Sequence, residues 1–181
     1  MAHSTQYVFD VTVADIDRNA YADLSLQVAQ HPSETVAYMV ARVLAYALEY
    51  EEGVAFPPGG LSTADDPAVW VRDLTGALRA WIEVGTPDAR RLHKASKAAD
   101  RVVVYCHRDP DAWLRSLHSE KIYAPERVSI VLLDRPFIEA LADKVERRTT
   151  MSVTLTEGTL YIDIGGESLS APIERRAWPK A

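Results

Sequence analysis

Two apolar runs, "RVVVYC" (residues 101–106) and "VSIVLLD" (128–134), constrain this chain more than any other feature. A strand with one face in water alternates apolar and polar residues. A run without alternation belongs to a strand covered on both faces. Residues 77–85, "ALRAWIEVG", read as a third strand. Between the three lie helical patterns, one opening at Thr86–Pro87–Asp88 and one in "DPDAWLRSLHSEK" (109–121). Strand, helix, strand, helix and strand thus follow one another from Leu78 to Asp134. Such crossovers imply parallel strands with helices on the sheet faces, hence a mixed α/β fold.

The flanking segments add antiparallel pieces. Residues 7–13 and 20–30 alternate and read as two strands joined by the turn "DIDRN". In "HPSETVAYMVARVLAYALEYEEG", Ser33 is read as the N-cap and Glu34 as a first-turn acid. Val36, Met39, Val40, Val43, Leu44 and Ala47 form the buried stripe of a helix reaching about Tyr50, with Gly53 ending it. A short strand and a Pro/Gly-rich loop fill residues 53–67. "AVWVRDL" and "ALRAWIEVG" flank Thr75–Gly76 as a hairpin. After a helix in "PFIEALADKVERR", residues 151–165 form a second hairpin turning at Glu157–Gly158. The final "APIERRAWPKA" reads as a tail with one short strand. The strands at the two chain ends need cover and are expected to meet as a second, antiparallel layer. With 181 residues, 48% of them hydrophobic, the chain suits one well-cored domain over residues 1–181.

Net charge is −6. A dedicated nucleic-acid binder is usually basic, so any such role must rest on a local patch. Residues 90–108 supply one, with Arg90, Arg91, Lys94, Lys97, Arg101 and Arg108 against only Asp100. A solvated helix face is the plainer reading of the same charges. The single Cys106 rules out an intramolecular disulfide framework and reads as a buried, reduced thiol. With no signal-peptide pattern and no apolar run long enough to span a bilayer, a cytoplasmic protein without a membrane partner is expected. Phosphate-loop, dinucleotide and nucleophile-elbow motifs do not occur.

Glu83 is the residue that asks for an explanation. Alternation along residues 77–85 turns Ala80, Ile82 and Val84 to one face, and Trp81, Glu83 and Gly85 to the other. Glu83 is then either solvated at the strand end or aimed into a cleft beside the next helix. If Thr75–Gly76 is a two-residue turn, Leu74 pairs with Ala77 and Glu83 faces Ala68. Asp66 and Asp65 stand just beyond, whereas Asp73 lies about 17 Å away along the strand. Asp66 is therefore the expected partner of Glu83, and Asp73 the second choice. Two carboxylates at a strand end suit Mg²⁺ or Mn²⁺. Lys94, on the stripe of Arg91, is either an exposed helix lysine or reaches back to steady charge on a phosphorane-like transition state. The helix opening at Pro87 offers free N–H groups to a phosphate, with Arg90, Arg91 and Lys97 holding flanking nucleic-acid backbone.

Taken together, "HPSET", "GLSTADDPAVW", "WIEVGTPD" and the following "KA" closely resemble the YaeQ family, in matching order through nearly the whole chain. That family is regarded as a variant of the PD-(D/E)XK, restriction-endonuclease-like superfamily. The resemblance implies a core of helix, three-stranded antiparallel ribbon, helix and parallel strand, with Mg²⁺-dependent phosphodiester cleavage as ancestral chemistry. It puts the third-strand acid on Glu83 and the preceding Asp on Asp66 or Asp73. An acid from the first core helix falls on Glu34, with Glu49 as the weaker choice. The superfamily lysine belongs two residues after the strand acid, where this chain has Gly85. Lys94, or Lys97 in its stead, is the candidate to supply that charge from the next helix. The leading expectation is a metal-dependent nuclease with Asp66 and Glu83 as ligands. Its rivals are a non-catalytic interaction module on the same scaffold and a hydrolase of another phosphate ester.

Overall fold

The computed structural model describes residues 3–59 and 63–180. The middle of the Pro/Gly-rich loop, residues 60–62, lies outside them. Among the described residues the strands form two sheets. One holds β1 (Thr5–Asp15), β2 (Ala20–Gln30), β8 (Arg148–Thr156), β9 (Thr159–Ile164) and β10 (Glu167–Pro172), in the order β10-β9-β8-β1-β2. The other is ordered β11-β7-β6-β5-β4-β3. It is built from β3 (Val54–Ala55), β4 (Val69–Arg72), β5 (Leu78–Val84), β6 (Arg101–Cys106), β7 (Val128–Leu132) and β11 (Glu174–Ala177). The helices are α1 (Val36–Leu48), α2 (Ala89–Ala98), α3 (Asp111–His118) and α4 (Arg135–Ala142). None of the described helices is long and apolar enough to cross a membrane.

The unalternating runs lie where double coverage demands. β5, β6 and β7 are parallel neighbours at the centre of their sheet. One face, with Ala80, Ile82, Val84, Val103, Tyr105 and Val131, packs into the main core with α1 and α4. The other, with Trp81, Val102, Val104 and Ile130, packs on Leu92 and Ala95 of α2 and on Trp113 and Leu117 of α3. The opposite side of α1 meets the inner face of the five-stranded sheet, through Phe9, Val11, Val153 and Ile162 among others. Helix α1 is thus enclosed between two sheets, which explains why Met39 through Ala45, Arg42 included, are all buried. The five-stranded sheet keeps strict alternation, as in β8 where Thr149, Met151, Val153 and Leu155 point inward.

Several expectations are corrected. The terminal strands do form the second layer, but it is mixed: β1 runs antiparallel to β2 and parallel to β8. No hairpin joins β1 to β8, so turn geometry does not dictate their relative direction. Helix α1 begins at Val36 with Thr35 as its cap, not Ser33; the Thr35 hydroxyl accepts from the N–H of Tyr38 at 3.1 Å. Likewise α2 opens at Ala89 with Asp88 as its cap, not at Pro87, which stands outside the helix. The β4–β5 register agrees with the symmetric pairing at Val69–Ile82, Trp70–Trp81 and Val71–Ala80, then slips by one at Arg72–Leu78. The slip follows from Asp73, whose carboxylate closes a wider turn by accepting from the N–H groups of Thr75 and Ala77. The tail contributes β11 to the sheet edge, and Trp178 is buried beyond it. Cys106 is free and buried.

Candidate functional site

The carboxyl ends of β5, β6 and β7 and the starts of the helices meet on one side of the six-stranded sheet, the usual place for a ligand in such sheets. Gly85, at φ +100°, turns the chain off β5 there. A cleft of about 270 Å³ opens against it, lined by Tyr38, Glu83, Thr86, Arg91 and Arg108 among others.

Glu83 is buried, 4% exposed. Its Oε1 accepts from the Trp81 indole at 2.5 Å and from Nε of Arg91 at 2.6 Å. The remaining guanidinium nitrogens donate to the main-chain carbonyls of Ala64 at 2.5 Å and Asp66 at 2.7 Å. Arg91 therefore staples the β4 approach loop to the end of β5. Burial pushes the Glu83 carboxyl up and the Arg91 charge partly offsets this. The Tyr38 phenol is pushed up to about 12 by burial, with the Glu83 charge adding to it.

The other sequence-predicted residues divide between this cleft and more distant places. Asp66 reaches Arg91 through its main chain, and its carboxylate makes no hydrogen bond or ion pair with the described residues. Lys94 comes to the same loop but pairs with Asp65, at 2.5 Å, on the exposed surface. That contact holds the Asp65 carboxyl below its usual range. Arg90 and Lys97 are exposed on α2. Asp73 sits in the β4–β5 turn, paired with Arg79, at the end of β5 remote from Glu83; chiefly the Thr75 hydroxyl holds its carboxyl at about 2. Glu34 folds back before α1 to pair with Arg42. Glu49 is held by the Tyr105 hydroxyl at 2.7 Å and by Arg101 at 2.6 Å. Of the proposed basic patch, Arg101 is thereby directed to a different part of the molecule, where it also pairs with Glu51.

These positions bear on whether a divalent ion fits. Such an ion needs several oxygens free to face it. Beside Glu83 that place is taken by a guanidinium, and no group of three or more His, Cys, Asp or Glu among the described residues is arranged to hold a metal. A divalent ion at Glu83 would therefore have to displace the Arg91 guanidinium.

Sequence reasoning missed Tyr38, His107 and Arg135 as residues of this region and named Arg108 only as part of the basic patch. One signal was available: His107 and Arg108 directly follow the doubly covered strand β6, where ligand-facing residues gather. His107 is 5% exposed and its Nδ1 has no hydrogen-bond partner among the described residues. Burial, helped by the charges of Arg108 and Arg135, depresses its pKa from 6.5 to about 4. The unfolded chain therefore takes up a proton between those values that the folded chain refuses. Neutral His107 is tolerated fully above pH 6.5, and stability falls as the pH drops toward 4, by at most about 3 kcal/mol. Glu34 and Glu83, both raised, work in the opposite sense, so the measurement is a difference. Urea unfolding of wild type and His107→Gln across this window is expected to show wild type losing ground as the pH falls. An unchanging gap contradicts the assignment.

Comparison with known proteins agrees with the geometry at the level of the whole chain. A family model described as YaeQ protein matches residues 1–173. The uncharacterized protein YaeQ of Salmonella typhi is 33% identical over 177 residues, covering 97% of this chain and 96% of that protein. The corresponding protein of Escherichia coli K12 is 31% identical with the same coverage. Crystal structures of YaeQ proteins superpose closely. That from Pseudomonas syringae gives a TM-score of 0.85 at 32% identity, covering 95% of each chain. That from Xanthomonas axonopodis pv. citri gives 0.87 at 30% identity, covering 97% of this chain and 99% of that one. Sequence, length and fold all coincide, and the chain belongs to the YaeQ family.

Proposed function

We propose that this protein is a non-catalytic module that holds a phosphate-bearing nucleic-acid backbone on a nuclease-like scaffold. The observation that carries this reading is the clamp of Arg91 on Glu83, in which a fixed guanidinium stands where a metal-dependent nuclease needs its cation. Glu83 is then a positioning residue. Buried among Trp81 and Tyr38, it orients Arg91, and Arg91 in turn orders the loop through Ala64 and Asp66. Arg90 and Lys97 project from α2 without an ion-pair partner among the described residues, so both are free to meet phosphates. Helix α2 is held rigidly beneath them by buried Leu92 and Ala95.

A second reading keeps the chemistry: a phosphodiesterase binding Mg²⁺ or Mn²⁺ through Asp66 and Glu83, with Lys94 near the reacting phosphate. What favours it is topology. Helix α1, the antiparallel β3–β4–β5 ribbon, α2, and β6 parallel to β5 follow in the order that the superfamily resemblance implies. This reading requires Arg91 to leave Glu83.

One experiment separates the two. Single- and double-stranded DNA and RNA are titrated with the protein in EDTA and in Mn²⁺, and the products are run on a gel. The module reading expects binding in EDTA and intact strands in Mn²⁺. It also expects Arg90→Gln with Lys97→Gln to lower the salt slope of log K by roughly 2, one for each phosphate that is no longer neutralised. Cleavage that needs Mn²⁺ and disappears in Glu83→Ala replaces it with the second reading. Absence of binding to every nucleic acid rejects the module.

A further inference from the structure

A strand at the edge of a sheet carries main-chain N–H and C=O groups without partners. Proteins normally blunt such an edge with shortness, charge, proline or a bulge. Three of the four edges here are blunted in these ways. β3 has two residues, and β11 has four, with Glu174, Arg175 and Arg176 among them. β10 has six, opening on Glu167 and ending on Pro172. The fourth edge, β2, has 11 residues with no proline, no basic residue and one acid, Asp23. It pairs with β1 along its whole length without a bulge.

The ladder determines which groups of β2 face outward. The N–H of Val8 donates to the Arg147 carbonyl and that of Ile16 to the Leu155 carbonyl, so even-numbered residues of β1 turn their main-chain groups toward β8. Odd-numbered residues of β1 therefore bond to β2, where their partners are even-numbered, as Val11 with Leu24. The odd-numbered residues of β2 are left facing out. At the end of the strand such groups are already used. The Ala29 carbonyl accepts from Arg42 at 3.0 Å, and the N–H of His31 donates to Glu34 at 3.1 Å. Tyr21, Asp23, Ser25 and Gln27 remain, with exposed side chains and no main-chain hydrogen bond on that side among the described residues.

We infer that this edge is the contact surface for a second copy of the chain, paired antiparallel about a two-fold axis through Leu24. In that register Tyr21 of one copy faces Gln27 of the other, and Asp23 faces Ser25. Every free residue enters a hydrogen-bonded pair, giving about eight main-chain bonds. Other registers do worse. An axis through Ser25 sets Tyr21 against Ala29, whose carbonyl Arg42 already holds. An axis through Asp23 sets two carboxylates directly opposite each other. A slip by one residue turns inner side chains against outer ones. The inner face gains as well. Ala22 and Leu24 point toward the core but stay half-buried at the sheet margin. In the dimer Leu24 meets Leu24 across the axis and Ala22 meets Leu26, and two five-stranded sheets become one. Self-complementarity selects a second copy over an unrelated extended segment, because the same four residues satisfy both sides. The contact lies on the sheet that does not carry Glu83, so it does not depend on the function proposed above.

The test follows the full chain by sedimentation velocity and amide hydrogen exchange across protein concentration. A dimer with a Kd of about 1–100 µM is expected, the range of a small interface made largely of main-chain bonds. As it forms, the amides of Tyr21, Asp23, Ser25 and Gln27 should become protected, whereas their even-numbered neighbours are protected at every concentration. Ser25→Pro and Asp23→Pro each remove one outward N–H, a change an edge strand tolerates, and each should weaken the dimer about tenfold or more while the monomer stays folded. Leu24→Cys reports the register. At the axis the two Cα atoms lie about 4.5 Å apart, within disulfide reach, so oxidation should give a covalent dimer. Ala22→Cys stands about 13 Å from its copy and should give none. A monomer at every concentration up to about 1 mM overturns the proposal. So does wild-type dimer affinity in both proline variants, or failure of Leu24→Cys to cross-link. Amide protection that appears only with an added extended peptide gives the edge to another chain and overturns it too.

Discussion

Arg42→Met is expected to cost about 3–5 kcal/mol, the largest effect of any single substitution considered for this protein. Arg42 is 3% exposed in the middle of α1, enclosed between the two sheets. Its Nε and Nη2 donate to the two carboxylate oxygens of Glu34 at 3.0 and 3.1 Å, and Nη2 also donates to the Ala29 carbonyl at 3.0 Å. Methionine fills much of the volume but leaves Glu34, 6% exposed, with only the N–H of His31. Burial already holds the Glu34 carboxyl above its ordinary range against the pull of Arg42. Without Arg42 it rises further. The sign of the pH dependence follows: a carboxyl raised in the folded state gives its relative stability at low pH and loses it as pH climbs through the folded pKa. The variant should therefore be weakest at neutral pH and recover toward wild type on acidification. Adding Glu34→Leu should restore most of the loss, because an apolar pair of similar volume needs no desolvated charge. Urea midpoints of the three proteins at neutral and acid pH check this, and a single variant within about 1 kcal/mol of wild type at neutral pH would refute it.

Arg91→Met tests the site directly. The variant strands Glu83 in the wall of the cleft with the Trp81 indole as its remaining donor and unties the carbonyls of Ala64 and Asp66. Arg91 is about one-third exposed, so the expected cost is nearer 2 kcal/mol than that of a fully buried pair. The functional consequence matters more. If Glu83 serves to hold Arg91, removing the guanidinium creates no cation site, because one carboxylate already bonded to the Trp81 indole is a poor ligand set for a divalent ion. Calorimetry with Mn²⁺ should then give the same null titration for variant and wild type. If Glu83 is a metal ligand masked by Arg91, the variant should bind Mn²⁺ more tightly than wild type. Appearance of such a site would sink the module reading and restore the hydrolytic one.

The strand and helix assignments were legible because they are local. β2 falls on residues 20–30 as the alternation indicates, and the buried runs become β6 and β7 with apolar neighbours on both faces. The pairing of β4 with β5 was also legible near Glu83, where it depends on alternation alone. It failed nearer the turn, where Asp73 prefers hydrogen bonds to Thr75 and Ala77 over a tight two-residue loop. Both helix starts were displaced by two residues for a similar reason. "SET" and "TPD" each offer more than one capping group, and the geometry of the preceding chain selects Thr35 and Asp88. β10 and the parallel β1–β8 pairing had no local signal at all, since both depend on how distant segments meet.

The candidate site divides along the same line. Position and face were written in the sequence: Glu83 lies at the end of an inner strand, opposite Ile82, with a cationic helix following. The partner of each charge was not. Glu83 takes Arg91, eight residues on, Lys94 takes Asp65, and Glu34 takes Arg42. His107, a histidine without metal-ligand spacing in the sequence, becomes a buried ring whose Nδ1 has no partner among the described residues. Periodicity sets which way a side chain leaves the backbone, because that is a property of a few neighbouring residues. Which opposite charge it meets is decided by distances across elements and by how much water remains between them, and only the packed chain sets those.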